Sequence, residues 1–155
     1  MNKLRVAVLM GGPSTEREVS LRSGKAVAKA LAETGVIVRE VDVRGPNVEL
    51  PAKTDVAFVA LHGTFGEDGT VQRILEERGV AYTGSDPEVS ALAFNKERAK
   101  AAFLAGKIPT PRYEVVSNKR GGLRRLAEMD LPMVVKPARQ GSSVGITVVR
   151  HREEL

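Results

Sequence analysis

The feature that most constrains the fold of this chain is a set of short, nearly unbroken apolar segments. Leu4 to Met10 is such a segment, which Gly11-Gly12-Pro13 ends at once, and residues 55–61 form another. Apolar runs of this length are typical of parallel strands that are covered on both faces, whereas half-exposed strands alternate apolar and polar residues. Neither run approaches the roughly 20 apolar residues of a membrane-spanning helix. The sequence therefore predicts a layered α/β protein.

Helical patterns lie between the predicted strands. Thr15-Glu16-Arg17-Glu18 has the form of a capping box, which predicts a helix with Thr15 as its N-cap and Gly35 just after its end. The elements that follow are a strand over 36–43, the strand over 55–61, a glycine-rich loop over 62–69, a helix from 71 to about 79 and a strand over 80–82. The order β-α-β-β-α-β predicts a parallel sheet with helices on its faces.

The second part of the chain has a different pattern. We expect a boundary after Asp86, which gives domains of residues 1–86 and 87–155. The predicted elements of the second domain are helices over 87–94 and 96–105, a strand over 113–117, a helix over 123–129 and strands over 133–136 and 145–149. A strand, a helix and a hairpin in succession indicate that this part is not another βαβ repeat. Because residues 151–155 have the pattern of a helix that has only begun, we expect a longer protein.

The composition excludes several kinds of site and partner. Of the 155 residues, 42% are hydrophobic and 28% are charged, which is typical of a globular protein rather than a disordered one. There is no cysteine, so neither a disulfide nor a thiolate metal site can form. The net charge of +5 suits phosphate-bearing ligands as well as nucleic acids, but the few Phe and Tyr residues are not interleaved with basic runs. We expect no nucleic-acid partner and no membrane partner.

Two side chains at the carboxyl ends of predicted strands are candidates for ligand binding. Glu16 lies in the first turn of the first predicted helix, and His62 follows the strand over 55–61. Open α/β folds bind ligands at this edge of the sheet. With Glu67 and Asp68 in the same loop, these groups could hold a small zwitterion, because carboxylates pair with an ammonium. The alternatives are a favourable first-turn acid and a surface histidine.

The segment from Lys136 to Gly145 is the richest in functional side chains. A lysine ends an apolar strand, and the following loop contains glycines, serines and an arginine. Glycines let backbone N–H groups point at phosphate oxygens, and a lysine adds a positive charge. The segment does not have the P-loop pattern, and a plain exposed hairpin loop is the alternative. Lys96, at the start of a predicted helix, is a second candidate for a phosphate contact.

Four segments together resemble the D-alanine–D-alanine ligases, which are enzymes of the ATP-grasp type. The segments are Gly11–Ser20; Leu61-His62-Gly63 with Gly66–Thr70; Tyr82–Ser85 leading to Asn95-Lys96; and Val135-Lys136-Pro137 with Gly141–Gly145. The resemblance extends from Leu4 to about Val149. It implies a Rossmann-like, parallel-sheet pre-ATP-grasp domain over residues 1–86, followed by an incomplete α+β ATP-grasp domain over residues 87–155.

The resemblance also implies a reaction and a set of residue roles. In this family ATP phosphorylates the carboxylate of one D-alanine, and the amine of a second attacks the acyl phosphate to give D-alanyl-D-alanine for peptidoglycan. Glu16 would hold the ammonium of the first D-alanine, and His62 would lie by its carboxylate. Ser142 would hydrogen-bond Glu16, which makes these two the implied catalytic residues. The implied nucleotide contacts are Lys96, Lys136, Gly141, Ser142 and Ser143.

The resemblance further implies what the 155 residues lack. The family's adenine-binding segment, its catalytic arginine and its Mg²⁺ ligands lie in the C-terminal half, so ATP and Mg²⁺ are expected cofactors but no metal ligand is expected here. We therefore expect the 155 residues alone to be inactive. A cytoplasmic location, a role in cell-wall biogenesis and cell shape, and a homodimer are implied by the family in the same way.

Two other functions are compatible with these residues. Another ATP-grasp carboxylate–amine ligase, such as a D-alanine–D-lactate ligase, would share the first substrate site and differ at the second. A module that binds D-alanine or phosphate without turnover would be stabilised by its ligand but would release no ADP.

Overall fold

The computed structural model of the chain describes residues 3–117, 125–141 and 145–154, which form two compact units, Met1–Phe94 and Asn95–Leu155. The elements of unit 1 are β1 (Arg5–Gly11), α1 (Arg17–Glu33), β2 (Ile37–Val43), β3 (Val56–Val59), α2 (Thr70–Glu77), β4 (Ala81–Tyr82) and α3 (Pro87–Phe94). The four strands form one parallel sheet in the order β2-β1-β3-β4. The predicted order of elements and the predicted parallel sheet are therefore confirmed.

Strand β1 lies in the middle of the sheet and contributes to a core on each side of it. Ala7 and Leu9 pack in one cluster, which also contains Leu75 of α2. Val8 and Met10 pack in the other cluster with Ala28 of α1. This alternation explains why the segment is apolar without interruption, since neither face of the strand is left to solvent.

The start of α1 differs from the sequence-based prediction. The helix begins at Arg17 with Glu16 as its N-cap, and that cap has no side-chain hydrogen bond, so the predicted capping box with Thr15 is wrong. The hydroxyl of Ser14 instead accepts the N–H of Glu16 at 3.1 Å, while the Ser14 carbonyl accepts the N–H of Arg17 at 3.2 Å. Ser14 thus accepts the N–H groups of the N-cap residue, Glu16, and of the first helical residue, Arg17. The predicted end at Gly35 is confirmed.

Helix α3 belongs with unit 1 in the structure. It packs against α2, and the backbone of Pro87 approaches Gly69 so closely that a side chain on Gly69 would collide with the Pro87 carbonyl. The compact unit consequently ends after Phe94. The domain boundary after Asp86 stays a prediction.

Unit 2 is small, and the sheet in its described residues is a short two-stranded hairpin. The elements that lie wholly within its described residues are α4 (Lys96–Ala105), β5 (Met133–Val135), β6 (Thr147–Val149) and a 3₁₀ turn (Arg152–Glu154). Strands β5 and β6 pair in antiparallel fashion, as predicted, and Met133 and Val149 form a small core with Leu126. No helix in the described ranges is both long and apolar enough to cross a membrane.

Two elements predicted for unit 2 are not found as predicted. Residues 113–117 form no strand, and Val115 and Val116 are exposed. β-Branched residues form a strand only where a neighbouring strand pairs with them, and the described residues of unit 2 offer 113–117 no such partner. Of the helix predicted over 123–129, residues 125–126 are helical and 127–129 are not, while 118–124 lie outside the described residues.

An ion pair joins the amino ends of β1 and β3. The backbone N–H, Nε and Nη2 of Arg5 donate to the carboxylate of Asp55 at 2.8, 3.0 and 2.8 Å. The side-chain hydrogen bonds from Arg5 are the largest cause that lowers the pKa of Asp55 below its ordinary value. A carboxylate with a lowered pKa stabilises the fold above the pKa of the unfolded chain and loses that effect as the pH falls through the folded pKa.

We expect Asp55→Asn to lower the thermal unfolding midpoint at neutral pH by about 1–4 °C, as for other exposed ion pairs. The difference in unfolding midpoint between the variant and wild type should shrink towards zero in acid, where Asp55 is protonated and the wild-type side chain is also uncharged. Circular dichroism melts over a pH series measure it. Glu49→Gln is the control, because Glu49 is exposed and makes no ion pair with any described residue. A midpoint difference that does not change with pH would contradict this account.

Candidate functional site

The segments that carry Glu16 and His62 meet at the carboxyl edge of the sheet. Strand β1 ends at Gly11, and the chain turns through residues 12–15 to reach Glu16, while β3 continues through residues 60–61 to His62. The Ser14 hydroxyl donates to the His62 carbonyl at 2.7 Å, so the two segments are in direct contact. The structure thus brings together the two residues that the sequence suggested for the same edge.

The carboxylate of Glu16 points into this contact. Its Oε2 is buried and has no hydrogen-bond partner within the described residues. A Cβ atom added to Gly63 would lie 2.6 Å from that oxygen, and Gly63 has a φ of +70°, so both conformation and space favour glycine here. A buried carboxylate oxygen without a donor is costly, and a cation with N–H groups would remove that cost.

The ring of His62 is held from two sides. Its Nε2 lies 3.3 Å from Ser23 Oγ, and its Nδ1 lies 3.6 Å from Glu67 Oε1. The Ser23 hydroxyl donates its single proton to the Val19 carbonyl at 3.0 Å, which leaves Ser23 Oγ as an acceptor. We infer that Nε2 carries a proton. The side chain is 32% exposed, so a ligand can reach the ring.

Asp68 has a structural role instead. Its two oxygens accept the backbone N–H groups of Phe65 at 2.9 Å and Thr70 at 3.0 Å, which fixes the loop ahead of α2. Gly66 also serves this loop, because a Cβ there would lie 2.5 Å from the Leu61 Cβ. The described hydrogen bonds of Asp68 therefore serve the loop and not the contact between Glu16 and His62.

The sequence did not reveal the serines that build this edge. Ser14, Ser20 and Ser23 all donate to backbone carbonyls here, and Ser20 is fully buried. One signal was present: Ser20, Gly24 and Ala28 recur every four residues, and these small residues are the buried face of α1. That spacing identifies the helix face towards the sheet, but it does not identify the hydrogen-bond partners, which are distant in sequence.

In unit 2, Lys96 contacts the loop that the sequence suggested for phosphate binding. Its backbone N–H donates to the Ala138 carbonyl at 2.9 Å, and its Nζ donates to the Gln140 carbonyl at 2.6 Å. The buried side chain of Asn95 caps α4 and so holds Lys96 at the first helical position. Of the remaining suggested contacts, Lys136 is exposed after β5 and Gly141 is half-buried. Ser142 and Ser143 lie outside the described residues.

A cavity of about 440 Å³ borders Lys136 within unit 2. Its apolar lining residues are Pro111, Leu126, Met129, Pro132, Met133, Val134 and Val135. Lys100 also lines it, with its Nζ 2.6 Å from Thr110 Oγ1 and 5.3 Å from the centre of the Tyr113 ring. Nothing in the sequence pattern predicted this cavity, because the segments around it are separated along the chain.

The described residues offer no site for a metal ion. In residues 3–117, 125–141 and 145–154, no three His, Asp or Glu side chains converge in a group that could hold one. Mg²⁺ ordinarily binds through one or two carboxylates together with substrate phosphates.

Comparisons with known proteins identify relatives over almost the whole chain. The family model described as D-ala D-ala ligase N-terminus matches residues 39–85, and that described as D-ala D-ala ligase C-terminus matches residues 105–155. Together they cover more than half of the chain. The D-alanine–D-alanine ligase of Methylacidiphilum infernorum is 46% identical over 150 residues, which are 97% of this chain and 48% of that relative.

Solved structures of similar proteins also match nearly the whole chain. The D-alanyl-alanine synthetase A of Vibrio cholerae superposes with a TM-score of 0.84 at 30% identity and matches 99% of this chain and 54% of that one. The D-alanine–D-alanine ligase of Bacillus anthracis complexed with ATP gives a TM-score of 0.80 at 32% identity, over 99% and 51% of the two chains. The present chain thus spans about half the length of the relatives it matches.

We expect Gly63→Ala to lower the free energy of unfolding by about 1–3 kcal/mol, because it combines a strained φ with a collision against Glu16. Gly79→Ala is the matched control, since Gly79 has a φ of +64° but open space around it. In a Glu16→Ala background this collision disappears while the 3.2 Å contacts with the Ser14 Cβ and Oγ remain, so the cost of Gly63→Ala should fall towards that of Gly79→Ala and stay above it. Urea unfolding of the single and double variants measures these costs. Equal costs for Gly63→Ala in both backgrounds would mean that Glu16 does not lie against Gly63.

Proposed function

We propose, since this chain belongs to the D-alanine–D-alanine ligase family, that the protein uses ATP to join two D-alanines into D-alanyl-D-alanine by way of an acyl phosphate. The observation that carries the proposal is the buried Oε2 of Glu16, which has no hydrogen-bond partner within the described residues. It lies at the carboxyl edge of a parallel sheet, where folds of this class bind small ligands. An amino-acid ammonium has the charge and the N–H groups that this oxygen requires.

Glu16 and His62 would hold the two ends of the first D-alanine. Glu16 would accept from the ammonium, which offsets the cost of its burial. The partly exposed ring of His62 would donate to the ligand carboxylate. The 3.3 Å contact between His62 Nε2 and Ser23 is long for a hydrogen bond, so a charged acceptor can compete for the same proton.

Lys96 and Lys136 would contact the phosphates of ATP, whose role is to supply the phosphoryl group that activates the D-alanine carboxylate. Lys96 donates to a neutral acceptor, the Gln140 carbonyl, and a phosphate oxygen is a stronger acceptor for an ammonium. Gly141, Ser142 and Ser143 would complete this loop. The ATP complex of the Bacillus anthracis relative supports the choice of nucleotide.

The remaining parts of the proposal come from the family. They are Mg²⁺ as the metal cofactor, a cytoplasmic location, a homodimer and a role in peptidoglycan synthesis. Because the chain spans about half the length of its relatives, we propose that the 155 residues bind D-alanine and part of ATP without completing the reaction.

We expect Glu16→Gln to weaken D-alanine binding by about 10–100-fold, because the amide keeps the shape but removes the charge that pairs with the ammonium. Isothermal titration of the 155-residue chain with D-alanine, with and without ATP, measures the affinity. Glu18→Gln is the matched control, since Glu18 is an exposed acid on the same helix. D-Lactate, which lacks the ammonium, should not compete. Unchanged affinity in Glu16→Gln would rule out this site for the ammonium.

We expect the 155 residues to release no phosphate from ATP in response to D-alanine and Mg²⁺, since the chain spans about half the length of its relatives. The measurement is D-alanine-dependent phosphate release, with a complete D-alanine–D-alanine ligase as the positive control. Release above the control without D-alanine would confirm ligase activity but contradict the proposal that the chain lacks part of the catalytic site.

A further inference from the structure

One hydroxyl group connects the backbones of the two residues that would hold D-alanine. Ser14 Oγ accepts the N–H of Glu16 at 3.1 Å and donates to the carbonyl of His62 at 2.7 Å. A serine hydroxyl has a single proton, so these two bonds fix its direction. No other described side chain makes hydrogen bonds to the backbones of both Glu16 and His62.

A second hydroxyl acts one layer deeper in the same edge. The Ala60 N–H donates to the Leu9 carbonyl at 2.9 Å, and the next rung of a parallel ladder would join the Gly11 N–H to the Ala60 carbonyl. Ser20 Oγ takes that rung instead: it accepts from Gly11 at 2.9 Å and donates to Ala60 at 2.6 Å. The inserted hydroxyl holds β1 and β3 apart where the two site segments leave the sheet.

The spacing of Glu16 and His62 matters because their ligand is small. In D-alanine the ammonium and the carboxylate are attached to the same carbon atom, so the groups that hold them have little freedom in separation. An error of about 1 Å in such a geometry costs binding and rate. Glu16 and His62 belong to different segments, so only contacts between those segments can set their distance.

We propose that Ser14 is a positioning residue: its hydroxyl sets the distance between Glu16 and His62. Ser20 supports this arrangement by bridging β1 and β3 just before the two segments leave the sheet. This inference rests on the proposed function, since it assigns the spacing to D-alanine. The plain alternative is that Ser14 only satisfies a donor at the start of α1. A cap of that kind contributes to stability and leaves the ligand site unchanged.

The test compares Ser14→Ala, which removes the bridge, with Ser14→Thr, which keeps the hydroxyl, in the 155-residue chain. Isothermal titration gives the D-alanine affinity. NMR chemical shifts of the His62 ring report on the surroundings of that side chain, and the ring of exposed His151, the other histidine, is the internal reference. Ser90→Ala is the matched control, because it removes another hydroxyl bond to a backbone carbonyl, that of Ser85, in the same unit.

We expect Ser14→Ala to shift the His62 ring signals and to weaken D-alanine binding about tenfold or more. Ser14→Thr and Ser90→Ala should each keep the wild-type His62 signals and the wild-type affinity for D-alanine. If Ser14→Ala lowers the unfolding midpoint while the His62 signals and the affinity stay at wild-type values, Ser14 is only a cap and the proposal is overturned.

Two further outcomes separate this inference from the proposed function. If the wild-type chain binds no D-alanine, the proposed ligand fails, and the His62 signals alone decide: signals that are unchanged in Ser14→Ala overturn the positioning role. If Ser14→Ala does not fold, Ser14→Cys replaces it, because a thiol fills the same position but is a much weaker donor. A His62 spectrum of Ser14→Cys that equals wild type would likewise overturn the proposal.

Discussion

The burial of β1 on both faces is the constraint on which the rest of unit 1 depends. Its side chains alternate between a core against α1 and a core against α2, so a helix must cover each face. Neighbouring strands then run parallel, because each returns through a crossover connection. Parallel strands bring their carboxyl ends to one edge. The segments after β1 and β3 therefore meet there, and the meeting of Glu16 with His62 is a consequence of how the core is covered.

Hydroxyl groups complete this edge where the strand ladder stops. A ladder rung holds two strands at one fixed spacing, whereas a serine between them widens the spacing and keeps both backbone groups satisfied. Ser20 does this between β1 and β3, and partly buried Ser14 bridges the segments that follow these strands. The edge can thus contain a buried carboxylate oxygen without a partner while the backbone around it remains hydrogen-bonded.

The sequence predicted the layered parts of the molecule better than its local details. The unbroken apolar run predicted β1, because such runs reflect burial on both faces, and the order of elements predicted the parallel sheet. The helices α3 and α4 were predicted with the bounds that the structure has. The cap at Thr15 was wrong because the turn at Ser14 engages the N–H groups of Glu16 and Arg17 and makes Glu16 the N-cap. Residues 113–117 formed no strand because propensity needs a pairing partner. Glu16 and His62 could be placed at one edge by topology. The roles of Ser14 and Ser20 could not, because their hydrogen-bond acceptors are distant in sequence.

The glycines of the loop over 62–69 determine how this site can vary. A Cβ atom would collide with its surroundings at three positions: Gly63 lies against Glu16, Gly66 against Leu61 and Gly69 against Pro87. The exposed positions that remain open are Thr64 and Glu67. Evolution of a different ligand preference at this edge is therefore confined to very few substitutions on the His62 side.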